Sequence, residues 1–234
     1  MTDHYLTVLT FLPLAGAAVT ALFERDSHAR IRWTALIFSL AALSLAVGLF
    51  LSSSAGQPGM QFVEDHPWIS SPPIRYHLGV DGLSVLLILL TAFLTPLAVL
   101  ASWSGIATKV KEFHIFLLAL ETGTIGVFVS LDLFLFFVFW EAMLIPMYFL
   151  IGVWGHERRV YAAIKFILYT MAGSALMLVG IIYLYGVTGT FDLAVMLREL
   201  PEKWATLPRS AEQWLFWSFF LAFAIKVPMF PLHT

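Results

Sequence analysis

The sequence contains no cysteine. Disulfide bonds, thiolate metal sites and iron–sulfur clusters bound by this chain are therefore excluded. Charge is also scarce, because only 12% of the residues are Asp, Glu, Lys or Arg, and the net charge is −2. Soluble domains are about a quarter charged, so the composition argues against one. The nearly neutral balance gives no sign of a polyanionic partner, and we expect no binding to nucleic acid.

The sequence is rich in apolar residues. They make up 60% of the chain, and the mean hydropathy is +0.87. Long uncharged runs predict membrane helices rather than a β-barrel. The first run follows Thr2-Asp3-His4 directly. It has neither a basic leader nor a small-residue cleavage site, so we interpret it as a retained helix and not as a signal peptide.

The sequence predicts an all-α polytopic membrane protein, with residues 1–234 forming a single membrane domain. Seven segments approach or reach the length of about 20 residues that spans a bilayer. The predicted helices are 5–23, 33–51, 83–103, 113–131, 133–154, 160–185 and 214–234. In the longer connections, an alternating pattern at 74–78 predicts a short strand, and 192–200 predicts a short surface helix.

Basic residues are distributed unevenly between the two sides of this arrangement. The short loops 24–32, 104–112 and 155–159 hold seven Lys and Arg residues. The connections on the other side are longer in total but hold only four. By the positive-inside rule, the short loops lie in the cytoplasm and the N-terminus lies outside.

The last predicted span contains a lysine and two prolines, Lys226, Pro228 and Pro231. Each proline removes a backbone donor and clashes with the preceding turn, so we expect the helix to break near 228–231. Irregular backbone at membrane depth is tolerated only inside protein or beside water. The sequence then ends without a polar tail, which predicts that it is a piece of a longer chain.

Glu141 lies in a run without any other charge between Asp132 and Glu157. A charge at the bilayer centre costs about 2.5–3.5 kcal/mol on insertion scales, so such a residue usually has a partner or a task. Glu141 and Lys226 lie about 12 and 18 Å from the predicted outer starts of their helices. Opposite charges at similar depth suggest an ion pair. It could carry a proton, or it could be a static contact between two helices.

Three further ionisable residues are candidates, each with a structural alternative. Lys165 is a proton relay or an anchor whose stem reaches the membrane surface. Glu121 is a relay or a neutral buried acid. His233, after the predicted break, is a proton acceptor or a hydrogen-bonded histidine at a helix end. Asp132 and Asp81 precede helices and are interpreted as N-caps.

Other classes of site find little support. The sequence shows no phosphate-binding loop, no nucleophile–base arrangement and no metal-ligand spacing. Haem ligation by His4, His114 or His233 stays open, although no pair of them has an evident spacing on neighbouring helices.

Several motifs together resemble one family. The run Trp140-Glu-Ala-Met-Leu-Ile-Pro-Met-Tyr148 is the most specific of them. It is supported by Gly79-Val-Asp-Gly-Leu-Ser84, Ala163-Ile-Lys-Phe-Ile-Leu-Tyr-Thr170 and Ala222-Phe-Ala-Ile-Lys-Val-Pro-Met-Phe-Pro-Leu-His-Thr234. These runs are similar to the M-type subunits of bacterial NADH:quinone oxidoreductase, respiratory complex I, and to mitochondrial NADH dehydrogenase subunit four. The resemblance covers most of the chain from Gly79 onward.

The resemblance implies an antiporter-like helical bundle with a Pro-broken seventh helix. The family has about fourteen helices, so this sequence would be its N-terminal half. By the same resemblance, Glu141 and Lys226 are the proton translocation and coupling pair. Lys165 matches a lysine of the sixth helix, and His233 matches a histidine after the break.

The implied function is proton translocation coupled to NADH oxidation and quinone reduction elsewhere in the complex. The resemblance implies no redox chemistry and no cofactor in this chain, with NADH, FMN, iron–sulfur clusters and quinone used in other subunits. The implied partners are other complex I membrane subunits, especially the L- and N-type antiporter-like subunits, in the bacterial inner membrane. A subunit of an Mrp-type sodium/proton antiporter and a structural scaffold of the membrane arm remain alternatives.

Overall fold

The computed structural model describes residues 4–54, 59–204 and 207–232. Within these ranges the chain forms helices and one two-stranded antiparallel sheet. The elements are α1 Tyr5–Leu22, α2 His28–Ser52, β1 Gln61–Ile69, β2 Ile74–Val80, α3 Gly82–Gly105, α4 Val110–Val129, α5 Leu133–Ala142, α6 Leu144–Trp154, α7 Arg159–Thr188, α8 Leu193–Trp204 and α9 Arg209–Lys226.

Six candidate membrane spans are present in the described ranges, and they confirm a helical multi-pass membrane protein. The fifth span consists of α5 and α6, which are interrupted only at Met143. The cause is Pro146, because its nitrogen cannot donate to the carbonyl of Ala142 one turn earlier.

The predicted seventh span differs from the helix that forms. α9 begins at Arg209, earlier than predicted, and ends at Lys226, before Pro228. It carries Arg209, Glu212 and Lys226, and it is not among the six candidate spans. Turns follow it up to Leu232. The count of seven membrane helices and the break of the seventh near 228–231 stay predictions.

Several helices extend beyond the predicted apolar runs. α2 begins at His28, five residues before the predicted start, because its basic residues find acceptors. Arg30 donates to the hydroxyl of Ser27 (2.6 Å), and Arg32 donates to the carbonyl of Ile106 (3.0 Å). An apolar run therefore marks the part of a helix that lies in the membrane, whereas hydrogen bonds at its ends decide its length.

α4 lies at the centre of the bundle and packs against α1, α2, α3, α5 and α6. Leu118 and Ile125 on α4 are fully buried. α5 approaches α4 closely at Gly126, where any Cβ atom would collide with the ring of Phe139. This contact fixes the position of the helix that carries Glu141.

The loops at 23–27, 106–109 and 155–158 meet on one side of the bundle, which we call the basic face. There, Lys111 donates to the carbonyls of Ala21 (2.6 Å) and Phe23 (2.7 Å). The indole of Trp154 donates to the carbonyl of Thr108 (2.9 Å). These bonds join the three basic loops, as the alternating topology predicted.

The opposite side, called the hairpin face, is built from β1, β2 and the connections at 130–132 and 189–192. β2 confirms the predicted strand at 74–78. β1 was not predicted, because its Pro67 and polar residues obscure the alternation of a strand. His77 contacts Asp192 at 2.7 Å, and the amide of Leu131 donates to the carbonyl of His77 (2.8 Å). The hairpin is thus tied to both connections.

Three helix starts on the hairpin face agree with prediction. Asp81 accepts from the amide of Ser84 (2.8 Å) and forms a capping box with it. Asp132 accepts from the amides of Phe134 (2.9 Å) and Leu135 (3.0 Å). Burial raises the pKa of Asp132, although these amides oppose the shift. α8 confirms the helix expected around 192–200.

Glu64 of the hairpin holds the start of α1. Its carboxylate, only 2% exposed, accepts from the amides of Leu6 (2.6 Å) and Thr7 (3.3 Å) and from the hydroxyl of Thr7 (2.5 Å). The hydroxyl of Tyr76 lies 2.8 Å from that of Thr7. An anionic group at a helix N-terminus satisfies free amides and interacts favourably with the helix dipole.

Candidate functional site

Glu141 and Lys226 lie near the ends of two helices that converge at mid-bundle. Glu141 is next to the last residue of α5, just before the break at Met143. Its buried Oε1 has no hydrogen-bond partner in the part of the chain that the structure describes. Lys226 is the last residue of α9, where the helix ends before Pro228. Both candidates therefore lie beside interrupted backbone.

The ammonium of Lys226 contacts Trp140, the residue before Glu141. It donates to the carbonyl of Trp140 (3.3 Å) and lies 4.5 Å from the centre of its indole ring. A cation over an aromatic face is stabilised by about 0.5–2 kcal/mol, with the larger value for desolvated sites. Both groups that stabilise the ammonium of Lys226, a backbone carbonyl and an aromatic ring, therefore belong to Trp140.

Trp140 is itself held in place from α7. Its indole nitrogen donates to the hydroxyl of Ser174 (3.1 Å), and its ring packs edge-on against Phe223 of α9. The ring is only 6% exposed. Trp140 belongs to the most specific of the sequence motifs but was not predicted as a site residue. Its position directly before an intramembrane acid could have indicated that it belongs to the site.

The ion pair expected between Glu141 and Lys226 does not form as a direct contact in this structure. Among the salt bridges of the described residues, none joins these two side chains within 4 Å. They still interact electrostatically. The physical reason is that the ammonium of Lys226 already binds the carbonyl and ring of Trp140. The carboxylate of Glu141, the next residue in the sequence, makes no direct contact with it.

Lys165 joins Lys226 in a cavity of about 380 Å³ between α7 and α9. Tyr161, near the start of α7 on the basic face, lines one part of this cavity. Tyr169 and the helix end at Pro228 line it as well. The structure therefore brings Lys165 to the same cavity as Lys226. Its role as relay or anchor stays a prediction.

Two candidates lie elsewhere. Glu121 is on α4, is 2% exposed and has Thr95 of α3 as its polar neighbour. It does not line the cavity that Lys165 and Lys226 share. His233 lies outside the described residues. In the described ranges, no three His, Cys, Asp or Glu side chains gather in a way that could hold a metal ion.

Two protein families match consecutive parts of the chain. Residues 7–127 match the family described as NADH-ubiquinone oxidoreductase chain 4, amino terminus. The chain belongs to the NADH-ubiquinone oxidoreductase chain 4 family. Residues 130–234 match a second family, described as the transmembrane region of NADH:quinone oxidoreductase and Mrp antiporters. The resemblance seen in the sequence motifs is confirmed.

Relatives and solved structures agree with membership in the chain 4 family. NADH-quinone oxidoreductase subunit M of Rhodobacter capsulatus is 45% identical over 99% of this chain and 47% of its own length. A chain of respiratory complex I from Thermus thermophilus superposes with a TM-score of 0.83 at 30% identity, covering 97% of this chain and 45% of that one.

A chain of the Mrp complex from Dietzia sp. DQ12-45-1b superposes with a TM-score of 0.81. The two chains are 18% identical, and the match covers 97% of this chain and 24% of the Mrp chain. At this identity the match shows only that the fold is shared. The chain spans about half the length of the curated relatives it matches, 47% for the Rhodobacter capsulatus subunit.

Proposed function

We propose that this member of the chain 4 family is a proton-translocating membrane-arm subunit of NADH:quinone oxidoreductase. It performs no redox chemistry itself. NADH oxidation and quinone reduction take place in other subunits, which use NADH, FMN, iron–sulfur clusters and quinone. Its partners are the other membrane-arm subunits, especially the L- and N-type ones. The 45% identity to a subunit M supports this assignment.

One observation carries the proposal. The ammonium of Lys226 contacts Trp140, while the adjacent half-buried Glu141 has one buried oxygen, Oε1, without a hydrogen-bond partner among the described residues. We infer that the lysine alternates between two arrangements, one on the tryptophan and one on the glutamate. Movement between them changes how strongly the ammonium retains its proton. Events in the rest of the complex could drive this movement.

Protons would reach Lys226 through the cavity that also contains Lys165. This cavity extends toward the basic face at Tyr161. Its lysine and two tyrosine side chains supply polar groups that could order water. We assign Lys165 the role of a relay on this route and Lys226 the role of the group that holds the proton. His233 is proposed as the next acceptor beyond the helix end.

The proposed setting is the bacterial inner membrane, with the basic face in the cytoplasm and the N-terminus on the outer side. The charge difference between the two faces supports this orientation. We further propose that residues 1–234 form one membrane domain and that α9 is the seventh membrane helix, broken at 228–231. Irregular backbone beside a cavity is tolerated at membrane depth, and the cavity at Pro228 is consistent with this.

The decisive experiment is Glu141→Gln in the full-length subunit of an assembled complex. We expect proton pumping and coupled NADH:quinone turnover to fall by about tenfold or more, because loss of the charge removes one of the two arrangements of Lys226. Glu157→Gln changes an exposed acid of the basic face and should leave both rates unchanged. Normal pumping by a normally assembled Glu141→Gln complex would refute the proposal.

The Mrp-type antiporter alternative rests on the second family match and on the shared fold. Purification of the native complex separates the two functions, since flavin and iron–sulfur subunits accompany one of them and Mrp subunits the other. The scaffold alternative predicts that Glu141→Lys combined with Lys226→Glu restores full activity by restoring the charge balance. A pump should remain inactive, because the lysine would then be on the wrong helix.

A further inference from the structure

α4 contains two buried ionisable side chains that take no part in the site around Lys226. His114 has no exposed surface, and Glu121 is 2% exposed. They are seven residues apart, which places them on one face of the helix and about 10 Å apart along its axis. His114 lies nearer the basic face, one turn after the start of α4 at Val110.

The hydrogen bonding of His114 defines its free nitrogen. Nδ1 lies 2.7 Å from the carbonyl of Val110 and must donate to it, because a carbonyl only accepts. In the neutral ring, Nε2 is then the acceptor. This nitrogen is buried and has no protein partner within the described ranges. Arg32 of α2 faces the ring, and its Nε is also buried without a protein partner.

Glu121 makes fewer hydrogen bonds than His114. Neither carboxyl oxygen has a hydrogen-bond partner among the described residues. Thr95 of α3 is its polar neighbour, but the Thr95 hydroxyl donates to the carbonyl of Thr91 (3.1 Å). A charged carboxylate in this position would have neither a counter-ion nor a hydrogen bond. The neutral acid is therefore the favoured form.

Several buried polar atoms on α2 and α4 have no hydrogen-bond partner among the described residues. They are Arg32 Nε, His114 Nε2, Thr122 Oγ1 and both oxygens of Glu121. Buried polar groups in proteins are nearly always satisfied, if not by protein then by ordered water. Leu118 lies between His114 and Glu121 on the same face of α4. Leu118 packs there against Leu36 of α2 and Val99 of α3. Water that joins His114 to Glu121 must therefore enter by movement of these apolar side chains.

We propose that Glu121 is a second proton-binding site, loaded from the basic face through His114 and water. The site lies in the α2–α3–α4 part of the bundle and is separate from the cavity of Lys165 and Lys226. Glu121 holds the proton as a neutral carboxylic acid. His114 accepts a proton at Nε2 and passes it on, while Nδ1 stays bound to the Val110 carbonyl. Arg32 and Thr95 are the charged and polar groups that face this route from α2 and α3.

Infrared difference spectroscopy on the assembled complex with the full-length subunit tests the proposal. A protonated carboxylic acid has a carbonyl stretching band that an ionised carboxylate lacks. The wild-type minus Glu121→Gln spectrum should contain this band, and it should shift when the sample is transferred to D₂O. Glu112→Gln, which changes a partly exposed acid on the same helix, should leave the band in place.

His114→Phe tests the route. A positioned proton-transferring side chain accelerates transfer by about a hundredfold or more, so the D₂O shift of the Glu121 band should slow by about that factor. A Glu121→Gln difference spectrum without a carboxylic acid band would overturn the site. Exchange at an unchanged rate in His114→Phe would overturn the route, and a band that never exchanges would show a static buried acid. None of these readouts depends on whether Glu141 takes part in pumping.

Discussion

Removal of the Glu64 carboxylate should loosen the first turns of α1 strongly. In Glu64→Ala, the amides of Leu6 and Thr7 lose their acceptor inside the protein. Hydrogen bonds to charged groups contribute about 1.5–3 kcal/mol each, and a buried donor left unsatisfied costs about 1–3 kcal/mol. Two amides and a hydroxyl donate to this carboxylate. The cost of burying the carboxylate offsets part of the gain, so we expect a net loss of about 3 kcal/mol.

Hydrogen exchange read by mass spectrometry measures this loss directly. About 3 kcal/mol corresponds to roughly a hundredfold faster exchange of the amides in the first two turns of α1. Glu64→Gln keeps one carbonyl oxygen and should give a smaller acceleration.

Glu112→Ala is the matched control for this experiment. It removes an acid near the start of α4 whose partner, Arg25, is 81% exposed, at 3.2 Å. An exposed pair of this kind contributes about 0–1 kcal/mol. Equal acceleration of α1 by Glu64→Ala and of α4 by Glu112→Ala would refute the reasoning.

Trp140→Leu removes the ring that holds Lys226, and a desolvated cation–π contact is worth about 2 kcal/mol, so coupled turnover should fall by up to roughly thirtyfold. Ser174→Ala removes only the bond to the indole and should have a much smaller effect; unchanged turnover in Trp140→Leu would contradict this interpretation of the site. On the hairpin, the bond from Arg75 holds the pKa of Asp65 below its usual range, so the contribution of Asp65 to stability is present above the unfolded pKa and lost as the pH falls. Asp65→Asn should therefore destabilise the hairpin by about 0.5–1 kcal/mol at neutral pH and by less near pH 3, below the ordinary Asp pKa of about 3.9. Thermal unfolding of both proteins at the two pH values measures the difference, and a larger destabilisation at pH 3 than at neutral pH would contradict this assignment.

Much of the fold was predictable because a membrane span has a simple requirement. A run of about 20 apolar residues must form a helix in lipid, since only a helix or a closed barrel satisfies the backbone there. The caps at Asp81 and Asp132 were equally local, because each carboxylate bonds amides two or three residues away. β1 was not predictable in this way, since its partner is another strand and its own pattern is irregular.

In the candidate site, too, some features were predictable from the local sequence and others depended on distant residues. The cost of isolated charges in an apolar helix identified Glu141 and Lys226 as candidates. It did not reveal that the ammonium would rest on Trp140 rather than on the carboxylate. That choice depends on where α9 ends and on how Ser174 orients the indole across 34 positions of sequence. Spacing along one helix cannot supply either fact.

The sequence by itself determined that this protein crosses a membrane several times, which loops share a side, and which charges are too costly to be accidental. These properties follow from the free energy of placing each residue in lipid or water, which depends on the residue and its near neighbours. Only the tertiary structure decided which of those charges share a cavity, which carbonyl accepts from Lys226, and that Glu121 and His114 lie away from that cavity. These depend on distances of a few ångströms between different helices, and such distances are set by packing.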